Sequence, residues 1–344
     1  YGQLVESART QIRRANAPAE SPRARRLHRL LLVTLFEHLD RMRAAATLLR
    51  FAQRTGLTAL ARLFGLGDAA GLAPRIPGRF FIPRDQRYEA LHPQGVAFLH
   101  AGCVMQVAFP QVHEATVRTL KRARLSVVVP RGQGCCGAVA VHAGDLDFAR
   151  ELAKRNIAAF ERSNADVYVV NAAGCGSALK EYSQYFAGDP AWSERARRFS
   201  ERVRDVTEVL DAMELDSHLG RIDATVTYQE PCHLVHAQRV SGAPRRLLER
   251  IPGLRLVEMD ESAVCCGGAG IYSLTQPDMS GRLRRRKVER IRATGATVVA
   301  TANPGCAMQV AAGLRAANYD APVKHVVELL DDAYRAYNET VTRA

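Results

Sequence analysis

From residue 94 onward, short apolar runs alternate with longer amphipathic stretches. Runs at 96–100, 126–129 and 167–170 are four or five residues long and rich in Val, Leu and aromatic residues. Three more, at 225–228, 254–257 and 297–300, repeat the arrangement further along the chain. Apolar runs of this length read as buried strands. Helical periods separate them: 113–123, then 145–162 with Asp145 as cap, and later a helix opened by Pro277 and Asp278, which suit a first turn. Alternating strand and helix predicts an α/β fold with parallel sheets flanked by helices.

Residues 1–90 are patterned differently. Leu27, Leu31, Leu35 and Leu39 recur every four residues and Leu30 adds an i+3 partner, which makes one apolar helix face. Arg23, Arg25, Arg26, Arg29 and Arg43 fill much of the remaining surface. A second apolar helix is expected over 48–64, ended by Gly65 and Gly67. Pro74, Pro77 and Pro83, with Gly71 and Gly78, then mark an irregular connector. The expected organisation is a basic helical segment at 1–90, a first module at 91–215 and a second at 216–344.

Composition narrows the class. With 344 residues, 47% hydrophobic and 24% charged, the chain has globular proportions, which excludes disorder and collagen-like repeats. The longest strongly apolar run, 30–36, is far short of the ~20 residues a membrane span needs. No secretory signal is visible, although the chain opens with Tyr1 rather than Met. A soluble protein is expected. The net charge is +13, and residues 1–90 hold 16 Arg, no Lys and only 7 acidic residues. Such charge suits an acidic partner, an acidic substrate or an anionic membrane surface, and a solvated basic surface explains it equally well. No nucleic-acid motif accompanies it, and aromatics are only 6%, so no nucleic-acid partner is expected.

The cysteines change the picture most. Cys103, Cys135, Cys136 and Cys175 are spaced by 32, 1 and 39 residues; Cys232, Cys265, Cys266 and Cys306 are spaced by 33, 1 and 40. The flanks repeat too: Gly134-Cys135-Cys136-Gly137 matches Val264-Cys265-Cys266-Gly267, and Gly174-Cys175 matches Gly305-Cys306. Four cysteines keeping one spacing twice is an internal duplication. Structural disulfides would fit an exported chain, which nothing here indicates, and adjacent cysteines bridge each other poorly. Inert buried thiols do not explain a repeated pattern. Metal or cluster ligation explains both number and spacing, since four thiolates serve either iron–sulfur or tetrahedral zinc. No Cys-x-x-Cys occurs anywhere, so thioredoxin-type chemistry, zinc ribbons and c-type haem attachment lack their signature. Every cysteine falls just past the carboxyl end of an expected strand, the edge at which open α/β sheets bind ligands. His142, His233 and His236 lie close to these cysteines and suit a Cys/His zinc site, although a surface or supporting role is the plainer reading. The run Arg284-Arg285-Arg286-Lys287, with Lys180 and Arg282, could face an anion, but consecutive charges on a helix point all ways, so most of it is expected to be solvated.

The doubled C…CCG…GC pattern resembles the cysteine-rich CCG domains of heterodisulfide reductases and of bacterial hydroxyacid oxidase iron–sulfur subunits. Cys265-Cys266-Gly267-Gly268-Ala269-Gly270, Tyr272-Ser273-Leu274-Thr275, Pro231-Cys232 with His236-Ala237-Gln238, and Lys180-Glu181-Tyr182 are similar in particular to the glycolate oxidase iron–sulfur subunit. The resemblance covers about 94–330, and a ferredoxin-type domain found in that family is absent from this chain. Heterodisulfide reductase modules carry a fifth cysteine where Ala172 and Asn303 stand here.

The resemblance implies a non-catalytic electron-transfer subunit of a flavin-dependent 2-hydroxyacid (glycolate-type) dehydrogenase. Cys103, Cys135, Cys136 and Cys175 would bind one centre of the 4Fe-4S type, and Cys232, Cys265, Cys266 and Cys306 the other. FAD would sit on a partner dehydrogenase subunit only, and a quinone or similar acceptor would take the electrons. The implied location is cytoplasmic, with peripheral contact to the inner face of the membrane as a variant. The alternatives are thiol or disulfide reduction in the heterodisulfide reductase manner, and structural zinc.

Overall fold

The computed structural model describes residues 2–15, 30, 33–60, 71–215 and 217–343. Two sheets carry the molecule. In the first, β2 (Gly95–Leu99) lies between β3 (Leu125–Val129) and β4 (Val167–Val170), with β5 (Val203–Asp205) beyond β4 and β1 (Gln86–Tyr88) beyond β3. In the second, β6 (Ala224–Tyr228) lies between β7 (Leu254–Val257) and β8 (Val298–Thr301), with β9 (Val323–His325) outermost. All pairings are parallel except β1 on β3. Remove β1, and the strand order β3-β2-β4-β5 of the first sheet is that of β7-β6-β8-β9 in the second. The chain is thus a duplicated α/β structure.

The apolar runs become strands because they are buried on both faces, as parallel strands under helices must be. Ala97, Phe98 and Leu99 are fully buried, as are Val127, Val129 and Val169. The helix Leu146–Ser163 starts where Asp145 accepts a hydrogen bond from the Phe148 N–H at 3.3 Å, and the helix Pro277–Ala293 begins at its proline.

Each module's last helix packs on the other module. Val206–Ala212, which follows β5, lies against Gly242–Glu249, which follows β6. Reciprocally, Val326–Arg343, which follows β9, lies against Pro110–Arg122, which follows β2. Matching ion pairs pin the two contacts. Arg246 reaches Asp211 at 2.5 Å, and Arg118 reaches the buried Asp331 at 2.8 Å. Both end helices open alike: Glu208 accepts from the Asp205 N–H and Glu328 from the His325 N–H.

The amino-terminal expectation needs correction. The apolar helix runs over Leu39–Arg54, not 48–64. It stops at Thr55 because Gly56 has φ +77°, a left-handed conformation that ends a helix; a short turn, Leu57–Leu60, follows. Gly65 and Gly67 lie outside the described residues, as do Leu27, Leu31, Arg23, Arg25, Arg26 and Arg29. Leu35 and Leu39 pack against the core, whereas Leu30 is exposed. A further helix, Gly2–Arg14, lies against Ala138–His142.

Candidate functional site

The eight cysteines gather as two rows at the carboxyl edges of the two sheets. No disulfide joins any of them. In the first row the thiols act on one another in the order Cys103, Cys135, Cys136, Cys175, and in the second in the order Cys232, Cys265, Cys266, Cys306. Cys135 and Cys175 hold Cys136 well below the usual thiol range, while Cys135 is pushed up by Cys103 and Cys136, and Cys175 by Cys136, with burial adding to both. In the second row Cys265 is lowered to about 2, chiefly by Cys232 and Cys266, and Cys306 is lowered by Cys266 and Asn303. In each row the contacts between neighbours favour the thiolate form on one or more sulfurs, and thiolate is the form that binds metal.

Backbone geometry is repeated around both rows. Gly137 and Gly267 take φ +83° and +85°, which turns their N–H groups onto Cys135 Sγ at 3.5 Å and Cys265 Sγ at 3.3 Å. Cys175 and Cys306 each stand third in a helix, Ala173–Lys180 and Pro304–Ala316, where the helix dipole favours anionic sulfur. Amide–sulfur contacts of this kind support cluster ligands and tune them.

Different residues brace the two Cys-Cys loops. In the first, Asn156 accepts from the Gly134 N–H at 2.9 Å and donates to the Cys135 carbonyl at 3.0 Å, while the Tyr182 hydroxyl donates to the Cys136 carbonyl at 2.9 Å. In the second, the buried Lys287 donates from Nζ to the Glu261 carbonyl at 2.6 Å and the Ser262 carbonyl at 3.0 Å. Ser280 donates to the Gly267 carbonyl at 2.9 Å.

These features can be set beside known proteins. The model of the cysteine-rich domain CCG matches residues 97–180 and 226–311, and the linker region of the glycolate oxidase iron–sulfur subunit matches 23–75. A probable glycolate oxidase iron–sulfur subunit of Bacillus subtilis strain 168 is 36% identical over 350 residues, covering 97% of this chain and 78% of that protein. The chain belongs to the glycolate oxidase iron–sulfur subunit family. The glycolate oxidase iron–sulfur subunit of Escherichia coli K12 is 33% identical over 245 residues, 70% of this chain and 58% of that protein. Lactate utilization protein A of Oceanobacillus iheyensis is 32% identical over 231 residues, 67% of this chain and 93% of that protein.

In this family member the two rows differ in access. A cavity of about 1050 Å³ opens beside the second, lined by Cys232, Cys265, Gly174, Glu181, Arg9 and Tyr272 among others. The histidines singled out by sequence all line it: His142, His233 and His236. The rings of His142 and His233 are 5.9 Å apart, and His233 Nδ1 is 3.6 Å from Cys232 Sγ. Among the described residues, no three His, Cys, Asp or Glu side chains form a group that could hold a single metal ion. The four-thiol rows, their N–H donors and the glycine turns beside them fit a cluster.

Sequence reasoning overlooked two buried residues. Lys287 belongs to an arginine run expected to be solvated; Arg285 and Arg286 are exposed, but Lys287 is not. Its place beside Val288 and four residues before Ile291, both buried, was the available signal. His100 lies next to Gly102 in the segment leading to Cys103, and its Nδ1 is 2.7 Å from the Tyr168 hydroxyl. Burial lowers its pKa to about 4, so its ring is neutral at physiological pH. Lys180, by contrast, is paired with Glu208 at 2.7 Å.

Proposed function

We propose that this chain is the electron-transfer subunit of a flavin-dependent 2-hydroxyacid dehydrogenase of the glycolate type. Each cysteine quartet would hold an iron–sulfur centre of the 4Fe-4S type. The observation that carries the reading is the pair of thiol rows, each at a sheet edge and each with a backbone N–H on a sulfur. Cys103, Cys135, Cys136 and Cys175 would ligate one centre, and Cys232, Cys265, Cys266 and Cys306 the other. Such centres supply one-electron transfer without proton or bond changes. The chain's own groups hold the sulfurs, bury most of the first quartet and leave the second open to a cavity.

The partner would be an FAD-containing subunit that removes hydride from the hydroxy acid, since hydride chemistry belongs to the flavin. A quinone or similar acceptor would complete the path. Among the described residues no helix is long and apolar enough to cross a membrane. The chain would work on the cytoplasmic side, with peripheral contact to the membrane as a variant. Turnover of glycolate or lactate with an artificial acceptor tests the reading. Purified chain alone should give none, and adding the flavoprotein subunit should restore it. Robust oxidation by the chain alone would overturn the electron-carrier role.

A further inference from the structure

The two quartets sit in unequal electrostatic surroundings. Around the first, the buried groups that brace or approach the cysteines are neutral: Asn156, Tyr182, Tyr168 and His100. Around the second, the brace in the place of Asn156 is Lys287, 2% exposed; burial lowers its pKa, while Cys266, Cys306 and Cys265 favour its ammonium form. Both braces project from the helix that leads from the Cys-Cys loop to the strand preceding the last cysteine of their quartet. Glu261, whose carbonyl accepts from Lys287, pairs its carboxylate with Arg286 and Arg290, at 2.7 and 3.2 Å. Two of the second quartet's cysteines also line the cavity.

We infer that Lys287 raises the reduction potential of the second centre above that of the first, so that electrons collect at the centre facing the cavity. The inference rests on the reading that both quartets hold iron–sulfur centres. Reduction adds one negative charge to a centre, and a buried ammonium nearby stabilises the reduced form. Solvent access acts on the same centre and is a second recognised influence on its potential. Centres held by the two quartets would supply one-electron transfer, the first acting as donor and the second as acceptor. No proton moves and no bond forms or breaks. Lys287 is a positioning residue that acts through the cluster ligands.

Potentiometric titration of the iron-loaded protein, followed by electron paramagnetic resonance, tests this. Iron and sulfide analysis comes first, since absence of both defeats the cluster reading itself. With iron present, Cys136→Ser should leave the higher-potential centre and Cys266→Ser the lower. Lys287→Gln should shift the higher potential down by at least tenfold in the reduction equilibrium, about 59 mV for one electron. The lower potential should stay in place, and Lys287→Arg should restore the higher one. If Lys287→Gln loses its second centre, the Cys136→Ser protein still decides: a surviving centre of lower potential overturns the inference. Equal shifts of both centres in Lys287→Gln, or none, overturn it as well.

Discussion

The side-chain oxygen of Asn303 accepts a hydrogen bond from the Gly174 N–H at 3.0 Å, while its Nδ2 donates to Cys306 Sγ at 3.4 Å. One residue of the second module therefore holds the backbone next to Cys175 and the sulfur that closes its own quartet. Beside it, the Ala173 N–H donates to the Ala302 carbonyl at 3.0 Å, so the two modules meet just before their last cysteines. Asn303 also occupies the position where the sister heterodisulfide reductase pattern has a cysteine, and here an amide takes the bridging place.

The two bonds of Asn303 can be separated. Asn303→Asp keeps an acceptor for Gly174 but turns the donor toward Cys306 into an anion. Unfolding stability should stay within about 1 kcal/mol of wild type, while the second centre loses iron more readily. Asn303→Ala removes both bonds and should cost about 1–2 kcal/mol in addition. Urea unfolding combined with iron retention under chelator measures both effects. Equal iron retention in wild type and Asn303→Asp would show that the sulfur contact has no weight.

The turn glycines should respond unequally to alanine. Both have left-handed φ, which costs a residue with a side chain about 1–2 kcal/mol. At Gly137 an added Cβ would lie 3.4 Å from Ala149, near ordinary contact. At Gly267 it would come within 2.7 Å of the Ser280 carbonyl oxygen, so the loop carrying Cys265 and Cys266 must move. Gly267→Ala should abolish most iron binding at the second quartet, whereas Gly137→Ala should leave most of the first centre intact. Iron stoichiometry of the two purified variants checks this ordering.

Much of this arrangement is legible in the sequence. The strands stand out because four- or five-residue apolar runs end in glycine-rich turns, and the cysteine repeat places the quartets at one edge of each sheet. β5 and β9 escape because three-residue strands such as Val203–Asp205 are too short to show a period. The exchanged end helices have a repeat of their own, Val206-Thr207-Glu208-Val209-Leu210-Asp211 and Val326-Val327-Glu328-Leu329-Leu330-Asp331. It is offset by 120 residues rather than 129–131, which hides it from a search keyed to cysteines. The partners of Asp211 and Asp331 lie across the module boundary, and no local pattern announces such contacts.

Asp205 should make stability fall as pH rises. It is fully buried; Oδ1 accepts from the Thr207 N–H and hydroxyl, but Oδ2 has no partner. Burial raises its pKa from 3.8 to about 6. A carboxyl raised in the folded state contributes stability that is complete below pH 3.8 and lost as pH rises through about 6. The full difference is on the order of 3 kcal/mol, taking 1.36 kcal/mol per pH unit. Asp205→Asn keeps the helix-capping oxygen and cannot ionise. Its stability relative to wild type should rise by roughly 2 kcal/mol between pH 4.5 and pH 8. A constant difference between the two proteins across that range would refute the assignment.

The last prediction concerns the quartets as separate units. Cys136 stands between Cys135 and Cys175 in the first row, and Cys266 between Cys265 and Cys306 in the second. A serine at either place removes a soft thiolate ligand and leaves a hydroxyl that binds iron poorly. The rows lie on different sheets, and each has its own brace, Asn156 in one and Lys287 in the other. Loss of one centre should therefore leave the other in place. Cys136→Ser and Cys266→Ser should each retain about half of the cluster iron, and the double variant should retain almost none. Visible absorbance should fall in step, and electron transfer from the flavoprotein should fail in all three. If one serine variant lost all its iron, the quartets would form a single cooperative site. Full iron in both single variants would make the cysteines structural and remove the basis of the electron-transfer role.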